Sequence, residues 1–150
     1  MRLFGLSGAD PAAVRGILLD LVAEFAGRGL AVATLHEAPA GFDPDTPGKD
    51  SHEHRKAGAR EVRLISDHLE ALAHENQPGE PSDPQRLARR LAPADLVLVE
   101  GFAAHTHPQI RVGEGEDGPG DAKLVARVRP DADRRALADL VWAKAQRMTP

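Results

Sequence analysis

An α/β fold built on a mostly parallel central sheet is predicted by two observations. A short apolar strand, Arg2 to Leu6, ends in a glycine turn and leads into a helical stripe, and a second β-rich run follows at Ala31 to Leu35. Such a strand–helix–strand unit is a crossover connection, which favours a parallel sheet with helices on its faces. The second observation is Leu96 to Val99, apolar at every position, as strands buried on both faces of a parallel sheet are. With 150 residues the chain has the length of one domain and can bury roughly two-thirds of its unfolded surface.

The elements follow in order. Asp10 before Pro11 is an N-cap acid followed by proline at the first helical position. Val14, Ile17, Leu18, Leu21, Val22 and Phe25 recur at helical spacing, and Gly27 and Gly29 stop the helix. Residues 42–59, FDPDTPGKDSHEHRKAGA, form a polar loop running into a short helix around Ser51 to Ala57, with Asp50 or Ser51 as its cap and Gly58 as its end. Val62 to Ile65 and Ala71 to His74 are strands, and QPGEPSDP, residues 77–84, is a surface loop. Leu87 to Leu91 is a short helix. Ile110 to Val112 and Leu124 to Val128 are the remaining strands, separated by the glycine loop Gly113 to Asp121. A last helix is predicted from Asp133 to Arg147, with Leu137, Leu140, Val141 and Trp142 inward.

Composition narrows the function classes. Aromatics are 3% of the chain, so Leu, Val, Ile and Ala build the core, with Phe4, Phe25, Phe42, Phe102 and Trp142 as the bulky exceptions. A net charge of -4 argues against the broad basic face that nucleic acid needs. Without cysteine there are no disulfides, no thiolate catalysis and no Cys-ligated metal. No apolar run approaches the ~20 residues needed to span a bilayer and no leader peptide is recognisable, so a soluble cytoplasmic protein is expected. Of the 19 basic residues only Lys49, Lys56, Lys123 and Lys144 are lysines. None precedes Lys49.

That last fact bears on the first glycine turn, which sits where a phosphate-binding G-x-x-x-x-G-K-[ST] loop belongs. Counted from Gly8, the Gly, Lys and Ser/Thr positions hold Ala13, Val14 and Arg15; counted from Gly5, they hold Asp10, Pro11 and Ala12. The lysine for the β- and γ-phosphates and the hydroxyl for magnesium are both missing. The Asp10 carboxylate already occupies the helix end that would attract an anion. Ala94 to Phe102, ADLVLVEGF, has the form of a strand delivering a carboxylate, Glu100, to the crevice at the sheet's carboxyl edge. In the 42–59 block Asp43 and Asp45 are oxygen donors suited to magnesium, and Lys49 is a point charge for a phosphate. A solvated loop is the alternative. His52 with His54 and His105 with His107 are either metal ligands or surface histidines. The glycine loop at 113–121 lacks the spacing of a calcium loop.

At these residues the chain resembles the molybdopterin-guanine dinucleotide biosynthesis adaptor family, MobB. Members carry D-x-D-x-P-G-K-D-S followed by R-K-A-G-A, present here as Asp43, Asp45, Pro47, Gly48, Lys49, Asp50, Ser51 and then Arg55 to Ala59. The family's L-V-L-V-E-G-F strand is present as Leu96 to Phe102, and the likeness covers about residues 1–130. The resemblance implies a three-layer P-loop NTPase-like fold, a homodimer, and a role beside the guanylyltransferase that joins GMP to molybdopterin. It implies GTP and magnesium as ligands, with molybdopterin a further possibility. By the same likeness the binding residues are Gly8, Asp43, Asp45, Gly48, Lys49, Asp50, Ser51, Glu100 and Gly101, with Asp45 and Glu100 as metal ligands; no residue is assigned a catalytic role. The chain departs from the family in its phosphate loop, in His36-Glu37 where Lys-His is usual, and in Ala103 where a basic residue follows E-G-F. The leading expectation is an accessory protein that binds without turnover. A GTPase in which Arg15 replaces the lysine, and a metal-handling protein using Asp43, Asp45 and the histidine pairs, are the alternatives.

Overall fold

The computed structural model describes residues 1–80, 82–91, 93–102, 104–115 and 123–149. Ala103 and most of the glycine loop at 113–121 therefore lie outside the described residues. The strands, in chain order, are β1 (Arg2–Gly8), β2 (Val32–His36), β3 (Glu61–Ile65), β4 (Glu70–His74), β5 (Leu96–Glu100), β6 (Gln109–Val112), β7 (Leu124–Val128) and β8 (Gln146–Arg147). The helices are α1 (Pro11–Gly27), α2 (Asp50–Lys56), α3 (Pro84–Ala88) and α4 (Arg134–Lys144). The chain divides into two compact units, one of Met1–Glu37 with Ser82–Pro150, the other of Ala38–Pro81.

The first unit holds the parallel sheet, in the order β2-β5-β1-β6-β7. Its central strand β1 is buried on both faces because its side chains alternate between two apolar clusters. Phe4 and Leu6 join Leu96, Leu98, Ile110 and Val112 beneath α1 and α4, where Ile17, Leu21 and Phe25 of α1 are also buried. Leu3 joins Val97, Val99, Ala88, Phe102 and Met148 on the opposite face. Helices on one face, a sheet, and the short α3 side on the other give the three layers. The charged rims of α1 and α4 are tied by Arg28 to Asp139 at 2.7 Å and by Arg134 to Asp20.

The α1 signals act as their chemistry requires. Asp10 is the N-cap, its Oδ1 accepting from the Ala12 N–H at 2.9 Å, and Pro11 opens the helix. Gly29 lies just beyond the helix at φ +83°, the left-handed C-terminal position that favours glycine. Val22 is only half-buried. The last helix is shorter than its periodicity suggests. At Ala145 the backbone turns extended (ψ 133°), and Gln146 and Arg147 form β8, antiparallel to Leu3 and Arg2. The physical reason is an open edge: β6 pairs with β1 only from Gly5 onward, leaving the main chain of Arg2 and Leu3 to be satisfied by other residues.

The second unit consists of the β3–β4 hairpin, paired from Glu61↔His74 to Ile65↔Glu70, and of α2 with the loop before it. The predicted cap of α2 is corrected: the N-cap position belongs to Lys49, with no side-chain capping bond, and Asp50 and Ser51 are already helical. Gly58, at φ +109°, follows the helix as expected.

Candidate functional site

At the carboxyl edge of the parallel sheet, the ends of β1, β2 and β5 surround a cleft of about 230 Å³. Ser7, Gly8, His36, Glu37, Glu100 and Gly101 line it, and Pro11 and Val14 of α1 form its apolar wall. β5 brings Glu100 here because its apolar run ends one residue earlier, and the side chain is then bound by His36 Nδ1 at 2.9 Å to Oε2. The next two residues have left-handed backbone, Gly101 at φ +90° and Phe102 at φ 53°. Glu37 holds this turn. Its Oε2 accepts from the Phe102 N–H at 2.6 Å, and its own N–H donates to the Glu100 carbonyl at 3.0 Å.

The connection from β1 to α1 consists of residues 9 and 10 alone. A phosphate cradle needs a longer loop of free backbone N–H groups, a lysine and a hydroxyl. Here the Ala12 N–H is bonded by Asp10, and no basic residue or hydroxyl stands in the first turn of α1. Gly8 has a packing reason instead: a Cβ there would lie 2.6 Å from the Val112 carbonyl oxygen and 2.9 Å from Val14 Cγ2. The residues present do not fit a magnesium-bound nucleoside triphosphate.

In the second unit the 42–59 block is organised by Arg55. Its guanidinium reaches Asp43 Oδ2 at 3.1 Å, Asp45 Oδ2 at 3.1 Å and Glu75 Oε1 at 2.7 Å. The Asp43 carboxyl is held below its usual range by Arg55 first and by the Asp45 N–H second; the same Asp43 and Glu75 bonds raise Arg55. Ser51, buried, donates its hydroxyl to Asp45 Oδ1 at 2.9 Å. Asp43, Asp45 and Ser51 are thus tied into one network with Arg55, which sequence reasoning named within the R-K-A-G-A segment but gave no role. The available signal was the arginine lying 10 and 12 positions after two aspartates. Gly48, at φ +86°, occupies the turn from Thr46 to Lys49 that Pro47 introduces. Lys49 and Asp50 are exposed.

The two residues expected to hold magnesium fall in different compact units, Asp45 in one and Glu100 in the other. Among the described residues no three His, Cys, Asp or Glu side chains converge to hold a metal. His105 and His107 have different surroundings. His107 is wholly buried, neither ring nitrogen has a partner, and burial together with His105 pushes its pKa down against the opposing pull of Asp83. It packs where a Cβ on Gly5 would lie 2.2 Å from its Nε2, so it is a core residue rather than a surface one. His105 meets the Phe102 ring edge-on at 5.7 Å.

A family model for molybdopterin guanine dinucleotide synthesis protein B, MobB, matches residues 4–128. The chain belongs to the MobB family. The molybdopterin-guanine dinucleotide biosynthesis adapter protein of Haemophilus influenzae is 31% identical over 138 residues, covering 91% of this chain and 72% of that protein. Its Escherichia coli namesake is 39% identical over 88 residues, which are 57% of this chain, and the match spans 50% of that protein's length. Among solved structures, molybdopterin-guanine biosynthesis protein B superposes with a TM-score of 0.71 at 19% identity, covering 94% of this chain and 97% of that one. Bacillus subtilis MobB gives 0.69 at 17%, covering 97% and 99%. These last two likenesses establish the MobB fold here, the three-layer α/β architecture with its mostly parallel sheet. Among the described residues, no helix is long and apolar enough to cross a membrane.

Proposed function

We propose that this MobB-family chain is an accessory protein of molybdopterin-guanine dinucleotide synthesis that works by binding and does not hydrolyse GTP. The observation that carries this reading is the two-residue β1–α1 connection capped by Asp10. Transition-state charge in phosphoryl transfer is stabilised by positioned cations and donors, and the helix end offers neither. GTP with magnesium should show no turnover above a buffer blank. Asp10→Ala should remain inactive and lose about 1 kcal/mol of stability, measured by denaturant unfolding, because a cap is removed. Hydrolysis abolished by Arg15→Ala would overturn the reading in favour of a GTPase.

The loop from Asp43 to Ser51 supports a second part of the proposal, contact with the guanylyltransferase or with a phosphorylated pterin. Lys49 is exposed and contributes no capping bond to α2, so the fold makes little use of it. Lys49→Ala should change stability by no more than about 0.5 kcal/mol. Binding in pull-down and calorimetric titration should nevertheless weaken roughly tenfold or more, as expected for a charge-assisted hydrogen bond. Equal binding by both proteins would remove this loop from the contact.

The homodimer that the family resemblance implies finds support in the β3–β4 hairpin. Ile65 and Leu72 share one face of the hairpin and are 74% and 47% exposed, and Leu69 beside its turn is 72% exposed, an apolar display of the kind that marks contact surfaces. Light scattering behind size exclusion should give a dimer, and Ile65→Glu with Leu69→Glu should give a monomer of unchanged helicity. A wild-type monomer at micromolar concentration would refute the dimer.

A further inference from the structure

The cleft between β1, β2 and β5 has lost more than a phosphate loop; its polarity is reversed. Two backbone positions there could attract an anion, the N-terminus of α1 and the left-handed turn at Gly101 and Phe102. Both already hold carboxylates of the same chain, Asp10 on the Ala12 N–H and Glu37 on the Phe102 N–H. Of the described residues lining the cleft, His36 is the only basic one, and it is bonded to Glu100. Glu37 and Glu100 each engage one oxygen, Oε2, leaving Oε1 as an acceptor. An independent sign of a ligand comes from Ser7, which lines the cleft, is 8% exposed, and has a buried Oγ with no partner. At about 230 Å³ the space falls below the roughly 300–1,000 Å³ of ordinary ligand pockets, so it suits one ring edge or one side-chain head, not a nucleotide.

We propose that this cleft receives a planar N–C–N donor group, whose paired N–H bonds are read by Glu37, Glu100 and Ser7. The two N–H donors of such a fork can be divided between the remaining Oε1 atoms of Glu37 and Glu100, an arrangement a spherical cation does not use. A metal ion is disfavoured because, among the described residues, no three ligating side chains converge to hold one. Two sources present the same chemistry: the guanidinium of an arginine from a partner protein, and the 2-amino-4-oxopyrimidine edge of a pterin or guanine ring. The inference rests on the reading that the protein binds without hydrolysis, and it assigns a ligand class to the cleft in place of a triphosphate.

The test titrates the full chain with methylguanidinium, with unsubstituted pterin, with ethylammonium and with magnesium chloride. Amide shifts of His36, Glu37, Glu100 and Gly101 and the heat of binding are followed. At least one planar probe should move these amides, and Glu37→Gln and Glu100→Gln should each weaken it about tenfold or more by removing a charged acceptor. Glutamine keeps an oxygen for the Phe102 N–H, and Glu100→Gln leaves that bond untouched, so loss of fold and loss of binding are separable. Response to methylguanidinium alone assigns an arginine, and response to pterin alone assigns the heterocycle. Silence from both planar probes, equal binding by the variants, or equal or tighter binding of ethylammonium or magnesium would overturn the proposal. Failure here alongside Lys49-dependent partner binding would leave the accessory role standing.

Discussion

Gly101→Ala should lower the melting temperature by about 5–15 °C. Two costs combine. At φ +90° an alanine carries the left-handed penalty of roughly 1–2 kcal/mol. Its Cβ would also lie 2.7 Å from Glu37 Cβ and 3.0 Å from Glu37 Oε2, so Glu37 must withdraw. Withdrawal breaks the 2.6 Å bond to the Phe102 N–H, and an orphaned donor costs about 1–3 kcal/mol. Alanine's reduced unfolded-state entropy returns only about 0.4–1 kcal/mol. A net loss of about 2–4 kcal/mol at roughly 2–4 °C per kcal/mol gives the quoted shift. In a Glu37→Ala background the same change should cost less, since the two side chains no longer compete. Additivity in that double-mutant cycle would show that Glu37 does not clamp the turn.

Gly8→Ala should destabilise by about 1–3 kcal/mol without altering any response to GTP. Gly8 does not have the left-handed backbone that calls for glycine, and it pairs with Val112 on β6. The obstruction is the Val112 carbonyl oxygen at 2.6 Å, held by the sheet and unable to swing aside as a side chain would. In a working phosphate loop the corresponding loss would appear first in nucleotide affinity. Here calorimetry should read none before or after the substitution, while thermal unfolding moves. An unchanged melting temperature would mean that β1 and β6 separate more easily than their pairing implies.

The parallel sheet was legible because its evidence is local. Leu96 to Val99 has no polar residue to spare for solvent, and Asp10-Pro11 announces α1 by capping chemistry alone. Strand neighbours are not local, and nothing in the order of residues says that β5 inserts between β1 and β2. Nor does helical periodicity reveal that Gln146 and Arg147 leave α4 to cover the edge of β1. The 42–59 block was recognisable by its composition, yet the partner of Asp43 and Asp45 could not be read from it. A carboxylate awaiting magnesium and one bonded to Arg55 look alike until the loop is folded. His107 is the same lesson in the core. Its burial depends on Gly5, a residue 102 positions away whose missing side chain leaves the room.

The register of β1 also sets a timetable for folding. Arg2 pairs with Leu96 and Gly5 with Gln109, so the central strand is made well before these partners, which follow about a hundred residues later. At roughly 5–20 residues per second of synthesis, an apolar strand waits on the order of 5–20 s before β5 emerges. Closing so long a chain segment is slow, whereas the β3–β4 hairpin and α1 need only near neighbours and can form while the ribosome is still working. Apolar segments exposed in this way are where nascent chains associate, so yield in a cell should depend on holding β1 apart from other copies until its neighbours arrive.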